Sequence, residues 1–182
     1  MRFIILVLVA VLGTGCATKP RDPVGDYIAA DAAIRGVVLS PADEAKAVGR
    51  FRGFFADITA ESVRAKTATV YAPDAFFNDT LKTIRGAPAI EEYFLKVASH
   101  TEFVRATVVD VSRSGENYYL RWVMDTRFRG SKDTIRTIGM THLRFDRNGL
   151  IILHQDFWDS TAGFFEHAPI VGPMIRWMKS LL

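Results

Sequence analysis

A histidine and two carboxylates lie close together in "LIILHQDFWDST", residues 150–161. His154, Asp156 and Asp159 stand there beside Trp158. A histidine near a carboxylate can exchange a proton, share a metal ion, or mark the wet end of a strand. Alternate residues of an extended segment share a face, so His154, Asp156 and Trp158 form one set and Gln155, Phe157 and Asp159 the other. His154 and Asp156 would supply two metal ligands, but no third ligand is spaced to join them, so no metal is expected.

The elements that must position these residues change character along the chain. "SPADEAKAVGRFRGFFADI" opens a helix, with Ser40 as cap, Pro41 at the first helical position and Asp43 and Glu44 in the first turn. Val48, Phe51, Phe55 and Ile58 recur at helical spacing. Thr59 caps a second helix carrying Val63, Ala68 and Tyr71, and Pro73 is expected to end it, with Asp74 in the turn. A third helix follows Gly86, with Ile90, Phe94 and Val97 apolar. After His100 the period becomes two in "FVRATVVDVS", "NYYLRWVMDTRFR", "TIRTIGMTHLRFD" and "LIILHQDFWDS". "RSGEN", "RGSKD" and "DRNG" carry turn chemistry, so these four segments read as consecutive antiparallel strands. Helices first and a meander afterwards make an α+β fold, with helices packed on a curved, mostly antiparallel sheet.

The strand alternation also separates faces. Trp122, Met124 and Thr126 belong inside, while Arg121, Val123, Asp125 and Arg127 belong outside. Gly139, Thr141, Leu143 and Phe145 point inward, which leaves His142 and Arg144 pointing outward. Asp159, with Ser160 and Thr161, reads as the exit from the last strand, in a cap or turn.

The composition is ordinary for a globular domain: 182 residues, 49% hydrophobic and 24% charged. A net charge of +3 with signs interspersed is too mild for a nucleic-acid partner, and no basic stripe alternates with aromatics. The start is different. "MRFIILVLVAVLGTGC" has one positive charge, an apolar run over residues 3–12 and small residues before Cys16, the layout of a secretory signal. Cys16 is the single cysteine, so it forms no internal disulfide. "LGTGC" resembles a bacterial lipobox, with Gly13 where leucine is usual and Leu12 one place further away. The resemblance implies cleavage after a signal of residues 1–15 and acylation of Cys16, by palmitate among other chains. That would anchor the protein to a membrane on the periplasmic side (the outer membrane in a Gram-negative cell) or at the cell surface. Residues 16–40 read as a tether, in which "YIAADAAIRGVVLS" could add a short helix or lie against the domain. Residues 41–162 form the domain, and 163–182 an amphipathic extension. In that extension Pro173 could open a helix with Met174, Trp177, Met178, Leu181 and Leu182 apolar. It would pack on the domain or lie on the membrane, with packing preferred.

"YAPDAFFND", "IRGAPAIEEYF" and "THLRFDRNGLIILHQDFWD" together resemble the nuclear transport factor 2-like superfamily, and its SnoaL-like branch in particular. The likeness covers about residues 44–160. It implies a cone-shaped fold with helix, helix, short strand and helix first, and an apolar pocket between helices and sheet. It places His154, Asp156 and Trp158 on the pocket side. Similarity to ketosteroid isomerases implies Asp79 in "FFND" as a carboxylate base. The partners of that enzyme's oxyanion hole would fall on Thr141 and on Phe51 or Phe55, so its chemistry is not expected. An Asp–Arg–Asp set as in limonene epoxide hydrolases has only Asp125, Arg121 and Asp156 as ingredients.

The expected candidates are therefore Asp79, His154 and Asp156 as acid/base groups, with Tyr71, Trp122, Met124, Thr141 and Trp158 as ligand-binding walls. Asp79 could equally cap the turn that follows it. Fold leaves the chemistry open. The preferred expectation is a membrane-tethered lipoprotein that binds a small apolar or lipid-like molecule. The strand's polar groups then satisfy one another at the mouth of the cone. The alternatives are a cofactor-independent isomerase, hydrolase or dehydratase, and a non-catalytic scaffold. No cofactor is expected, and a homodimer through the outer face of the sheet is compatible with the sequence.

Overall fold

The computed structural model describes residues 22–167 and 171–181. The signal segment and Cys16 lie outside the described residues. Helix α1 (Pro23–Ala33) comes first, then α2 (Pro41–Phe55) and α3 (Ala60–Val70). Strands β1 (Tyr71–Asn78) and β2 (Thr83–Arg85) follow, then α4 (Ala87–His100). Four long strands come next: β3 (Thr101–Ser114), β4 (Asn117–Phe128), β5 (Ile135–Phe145) and β6 (Ile151–Trp158). Short α5 (Ser160–Gly163), a 3₁₀ turn over Phe165–His167 and α6 (Val171–Lys179) end the described chain. The six strands form one sheet in the order β2-β1-β6-β5-β4-β3, antiparallel except that β1 runs parallel to β6.

Local chemistry accounts for the helix starts. Ser40 Oγ accepts from Asp43 N, and Thr59 Oγ1 accepts from Ser62 N, so both caps satisfy amides the helices leave open. Gly86 precedes α4 at φ 87°, where a side chain would be strained, and a Cβ there would sit 3.1 Å from Pro73 O. The helices bury Val48, Phe51, Phe54, Val63, Ile90 and Phe94 against the inner face of the sheet, where Tyr118, Leu120, Leu143 and Phe145 meet them.

One expectation needs correction. The second helix ends at Val70, not Pro73. Pro73 and Asp74 lie inside β1, where the pairing with β6 is irregular between Tyr71 and Phe76. That irregularity is what lets a residue without an amide hydrogen sit in a strand. The short helix that the tether could add forms as α1, starting earlier than Tyr27, capped by Asp22 and lying against β1 and β6. His142 and Arg144 face outward as expected, and α1 covers them: they are 1% and 4% exposed. Arg144 donates to Asp31 O and Ile34 O at 2.6 Å each, to Asp31 Oδ1 at 2.6 Å and to Asn117 Oδ1 at 2.7 Å. His142 lies between the Tyr27 hydroxyl at 3.1 Å and Asn117 Oδ1 at 2.9 Å.

The C-terminal helix also departs from the preferred expectation. Helix α6 is held through buried Gly172, by Arg176 donating to Glu166 O, and by a Lys179–Glu166 ion pair. Its apolar residues Met174, Trp177 and Met178, and Leu181 beyond it, stay exposed. No helix among the described residues is long and apolar enough to cross a membrane.

Candidate functional site

A cavity of about 510 Å³ opens between α2, α4 and the inner face of β3–β6. Its walls are mostly aromatic and aliphatic: Phe51, Phe55, Phe77, Tyr93, Phe94, Trp122, Met124 and Trp158 among them. Phe164 and Phe165, just beyond α5, also line it. Two carboxyls face into this space, Asp79 and Asp156, and Thr141 lies beside them. Exposed Lys82, Lys96 and His100 line it as well and form its solvent rim.

Asp156 is placed by strand pairing. It stands opposite Thr141 across β5 and β6, with Trp122 on β4 opposite Gly139. Trp122 Nε1 donates to Thr141 Oγ1 at 2.8 Å, and the Thr141 hydroxyl donates to Asp156 Oδ1. His154, two residues earlier on the same face, lies behind Asp156. Its Nε2 is 3.0 Å from Asp156 Oδ1 and its Nδ1 is 3.0 Å from the Tyr71 hydroxyl. The Tyr71 hydroxyl has this one hydrogen-bond partner among the described residues, so it donates to Nδ1. Nε2 then carries a ring proton and points it at the carboxylate. Phe51, Phe55, Phe77 and Tyr71 surround the imidazole, with ring centroids 4.7–5.9 Å away, and it is fully buried. All donors thus converge on Oδ1, while Oδ2 receives no hydrogen bond from the described residues. Burial and the charges of Asp156 and Asp79 hold the Tyr71 phenol well above its ordinary pKa, so it stays a donor.

Asp79 is placed by a turn. It follows β1 and its Oδ1 accepts from Leu81 N at 3.0 Å and Lys82 N at 2.8 Å. It therefore does cap the turn, as one of its two readings anticipated, and it faces the cavity at the same time. Its Oδ2 accepts from the Tyr93 hydroxyl of α4, and its backbone oxygen accepts from Trp158 Nε1 at 2.8 Å. Burial raises the Asp79 pKa above the ordinary carboxylate value. The Tyr93 bond opposes that rise, the charge of Asp156 adds to it, and the two turn amides oppose it.

The sequence-predicted residues therefore divide. His154 and Asp156 are hydrogen-bonded, while Asp79 bonds to neither and forms a second carboxyl station. Asp79, Asp156, Trp122, Met124, Thr141 and Trp158 line the cavity. Tyr71 and His154 do not: they are buried behind its wall, so Tyr71 supports Asp156 through His154 and is not a wall residue. Arg121 and Asp125 do not join Asp156; Asp125 pairs with Arg136 on the outer face at 2.7 and 2.8 Å. Tyr93 was not anticipated. Its signal was a phenol on an otherwise apolar helix face in "EEYF", a residue with a polar handle that needs a partner when buried. Among the described residues no three of His, Cys, Asp and Glu gather to hold a metal ion.

Solved structures share this architecture. A protein of ketosteroid isomerase-like fold from Catenulispora acidiphila, in complex with trimethylamine, is 18% identical with a TM-score of 0.57. The match covers 69% of this chain and 91% of that one. An LEH-like epoxide hydrolase from M. tuberculosis is 13% identical with a TM-score of 0.56, over 77% and 95%. TsrD from Streptomyces laurentii is 16% identical with a TM-score of 0.56, over 69% and 94%. At these identities the likeness establishes the fold. No curated relative matches the sequence. The model of the SnoaL-like domain family matches residues 51–154, more than half the chain, and the chain belongs to that family.

Proposed function

We propose that this chain binds a small, largely apolar or lipid-like molecule in its conical cavity while tethered to a membrane through acylated Cys16. The cavity carries the first part. Its volume, about 510 Å³, suits a small organic molecule, and its walls are chiefly apolar with a few converging polar groups. The tether rests on the sequence: an apolar run, small residues and a single cysteine where the lipobox requires one. Homodimerisation belongs to the same proposal. It would have to use outer-face surface that α1 leaves open on β3 and β4.

Extraction of the protein from its native host, followed by mass spectrometry, tests the binding. A small apolar molecule at near one equivalent is expected. Met124→Trp, which fills the cavity, should abolish it, and a protein recovered empty contradicts the proposal. Palmitate labelling that is lost in Cys16→Ser tests the tether.

A second reading, cofactor-independent acid/base catalysis, is favoured by one feature. Asp156 is clamped through Oδ1 while Oδ2 is open to the cavity, as a base toward a bound C–H or O–H would be. Loss of turnover in Asp156→Asn with ligand affinity retained would move the conclusion from binding to catalysis.

A further inference from the structure

The two carboxyls in the cavity, Asp79 and Asp156, have no lysine or arginine partner among the described residues. The one ionisable partner is His154, which is buried behind Asp156 and bonds only its Oδ1. Desolvated carboxylates without a cation are expensive and are normally neutralised by a proton, a metal or an ion pair. The internal donors leave one carboxylate oxygen with no partner: two turn amides and the Tyr93 hydroxyl reach Asp79, and Thr141 and His154 occupy Oδ1 of Asp156, but no described residue donates to its Oδ2.

The surrounding surfaces have matching chemistry. The indoles of Trp122 and Trp158 are each tied to a carboxyl station. Trp122 reaches Asp156 through Thr141, and Trp158 donates to the backbone of Asp79. The negative potential of an aromatic face attracts a cation, most strongly with tryptophan. Gly139 and Gly163 make this arrangement possible: a Cβ at Gly139 would strike the ring of Trp122, and one at Gly163 the ring of Trp158.

We propose that the cavity selects a ligand with an apolar body and a protonated amine head, the ammonium donating to Asp156 Oδ2 against the tryptophan walls. This rests on the reading of the cavity as a site for a small apolar molecule and adds the chemical class of its head group. An ammonium supplies both things the site lacks, a donor for the open acceptor and a positive charge for the unpaired carboxyls. The basic rim does not forbid it, because Lys82, Lys96 and His100 are exposed and screened by water.

Three compounds of matched shape separate the possibilities: N,N-dimethylbenzylamine in its protonated form, the hydrocarbon isobutylbenzene and the anion phenylacetate. Affinities for the full chain near neutral pH are measured by tryptophan fluorescence. The amine should bind about tenfold or more tighter than the hydrocarbon, the scale of one desolvated cation–carboxylate or cation–π contact. Asp156→Asn should shrink that preference to less than about twofold. Equal binding of amine and hydrocarbon overturns the ammonium assignment and leaves the apolar site standing. Tighter binding of phenylacetate overturns it in favour of a head group at the lysine rim. If none of the three binds, both the assignment and the underlying reading fall. The comparison on the unaltered chain decides the matter even if Asp156→Asn does not fold.

Discussion

His154 presents its Nε2 to Asp156 Oδ1 at 3.0 Å from a position with no exposure at all. The imidazole cannot meet a ligand, so its effect on the cavity passes through the carboxylate it holds. Tyr71 fixes the tautomer from the other side. The resulting line of donors orients one oxygen of Asp156 and leaves the other for the cavity.

Removing the far end of that line should be felt as stability. Tyr71→Phe deletes the donor to His154 Nδ1 and leaves a buried acceptor unpaired, a cost of about 1–3 kcal/mol. Urea unfolding should show a lower midpoint with an unchanged slope. A variant as stable as the parent would mean that the tyrosine does not hold the imidazole.

Asp79 should behave in the opposite way. Its folded pKa is raised, chiefly by burial, so ionisation favours the unfolded chain, and the stability it confers when protonated is lost as pH rises through that raised value. Asp79→Asn removes the charge and keeps an acceptor for the turn amides. At neutral pH its melting temperature should equal or exceed the parent's, by about 2–4 °C for each kcal/mol regained. A clear fall would show that the carboxylate is structural.

Tyr93 sets how far that pKa rises. Its hydrogen bond is the largest influence pulling the Asp79 value down, so Tyr93→Phe should raise the Asp79 pKa further. A ¹³C titration of the Asp79 carboxyl reads this directly. An unmoved midpoint would deny the contact its role.

The outer face has its own titration. Burial first, then the charge of Arg144, lowers His142 to about 4 from its ordinary 6.5, against the opposing charges of Asp31 and Glu116, while the Tyr27 and Asn117 contacts hold the ring in place. Because the folded chain binds that proton less readily than the unfolded one, the neutral histidine's contribution is intact above pH 6.5 and shrinks as pH falls from 6.5 toward 4. The melting temperature of His142→Gln should fall less steeply than the parent's across that window. Parallel curves would contradict the assignment.

Arg144 should govern the docking of α1. Its guanidinium satisfies Asp31 and the carbonyl of Ile34 together, a fork that an ammonium cannot reproduce. Arg144→Lys should cost about 1–3 kcal/mol and speed amide exchange in residues 25–33 more than elsewhere. Uniform exchange would mean that α1 is held by other contacts.

Much of this arrangement was legible in the sequence. Period-two alternation placed Trp122, Met124, Thr141 and Leu143 on the inner face, and capping chemistry marked Ser40 and Thr59, because both signals act within a few residues. Alternation tells which side a residue takes but not what lies across from it. That is why His142 and Arg144 read only as outward-pointing, with no sign of the helix that covers them. Pro73 marked a helix end locally, yet an irregular pairing with β6 admitted it into a strand. Tyr93 and Asp79 meet across a helix and a turn, a distance in sequence that no local pattern spans.

The occupancy of the cone is tested most directly by methyl NMR of Met124 and Ala106 during titration with isobutylbenzene. Both residues line the cavity, whereas Ala30 is buried in the separate cluster under α1. Saturable, one-to-one shifts at Met124 and Ala106, with Ala30 unmoved, are predicted. No shift, or equal and non-saturating shifts at all three methyls, would contradict a ligand site in the cone.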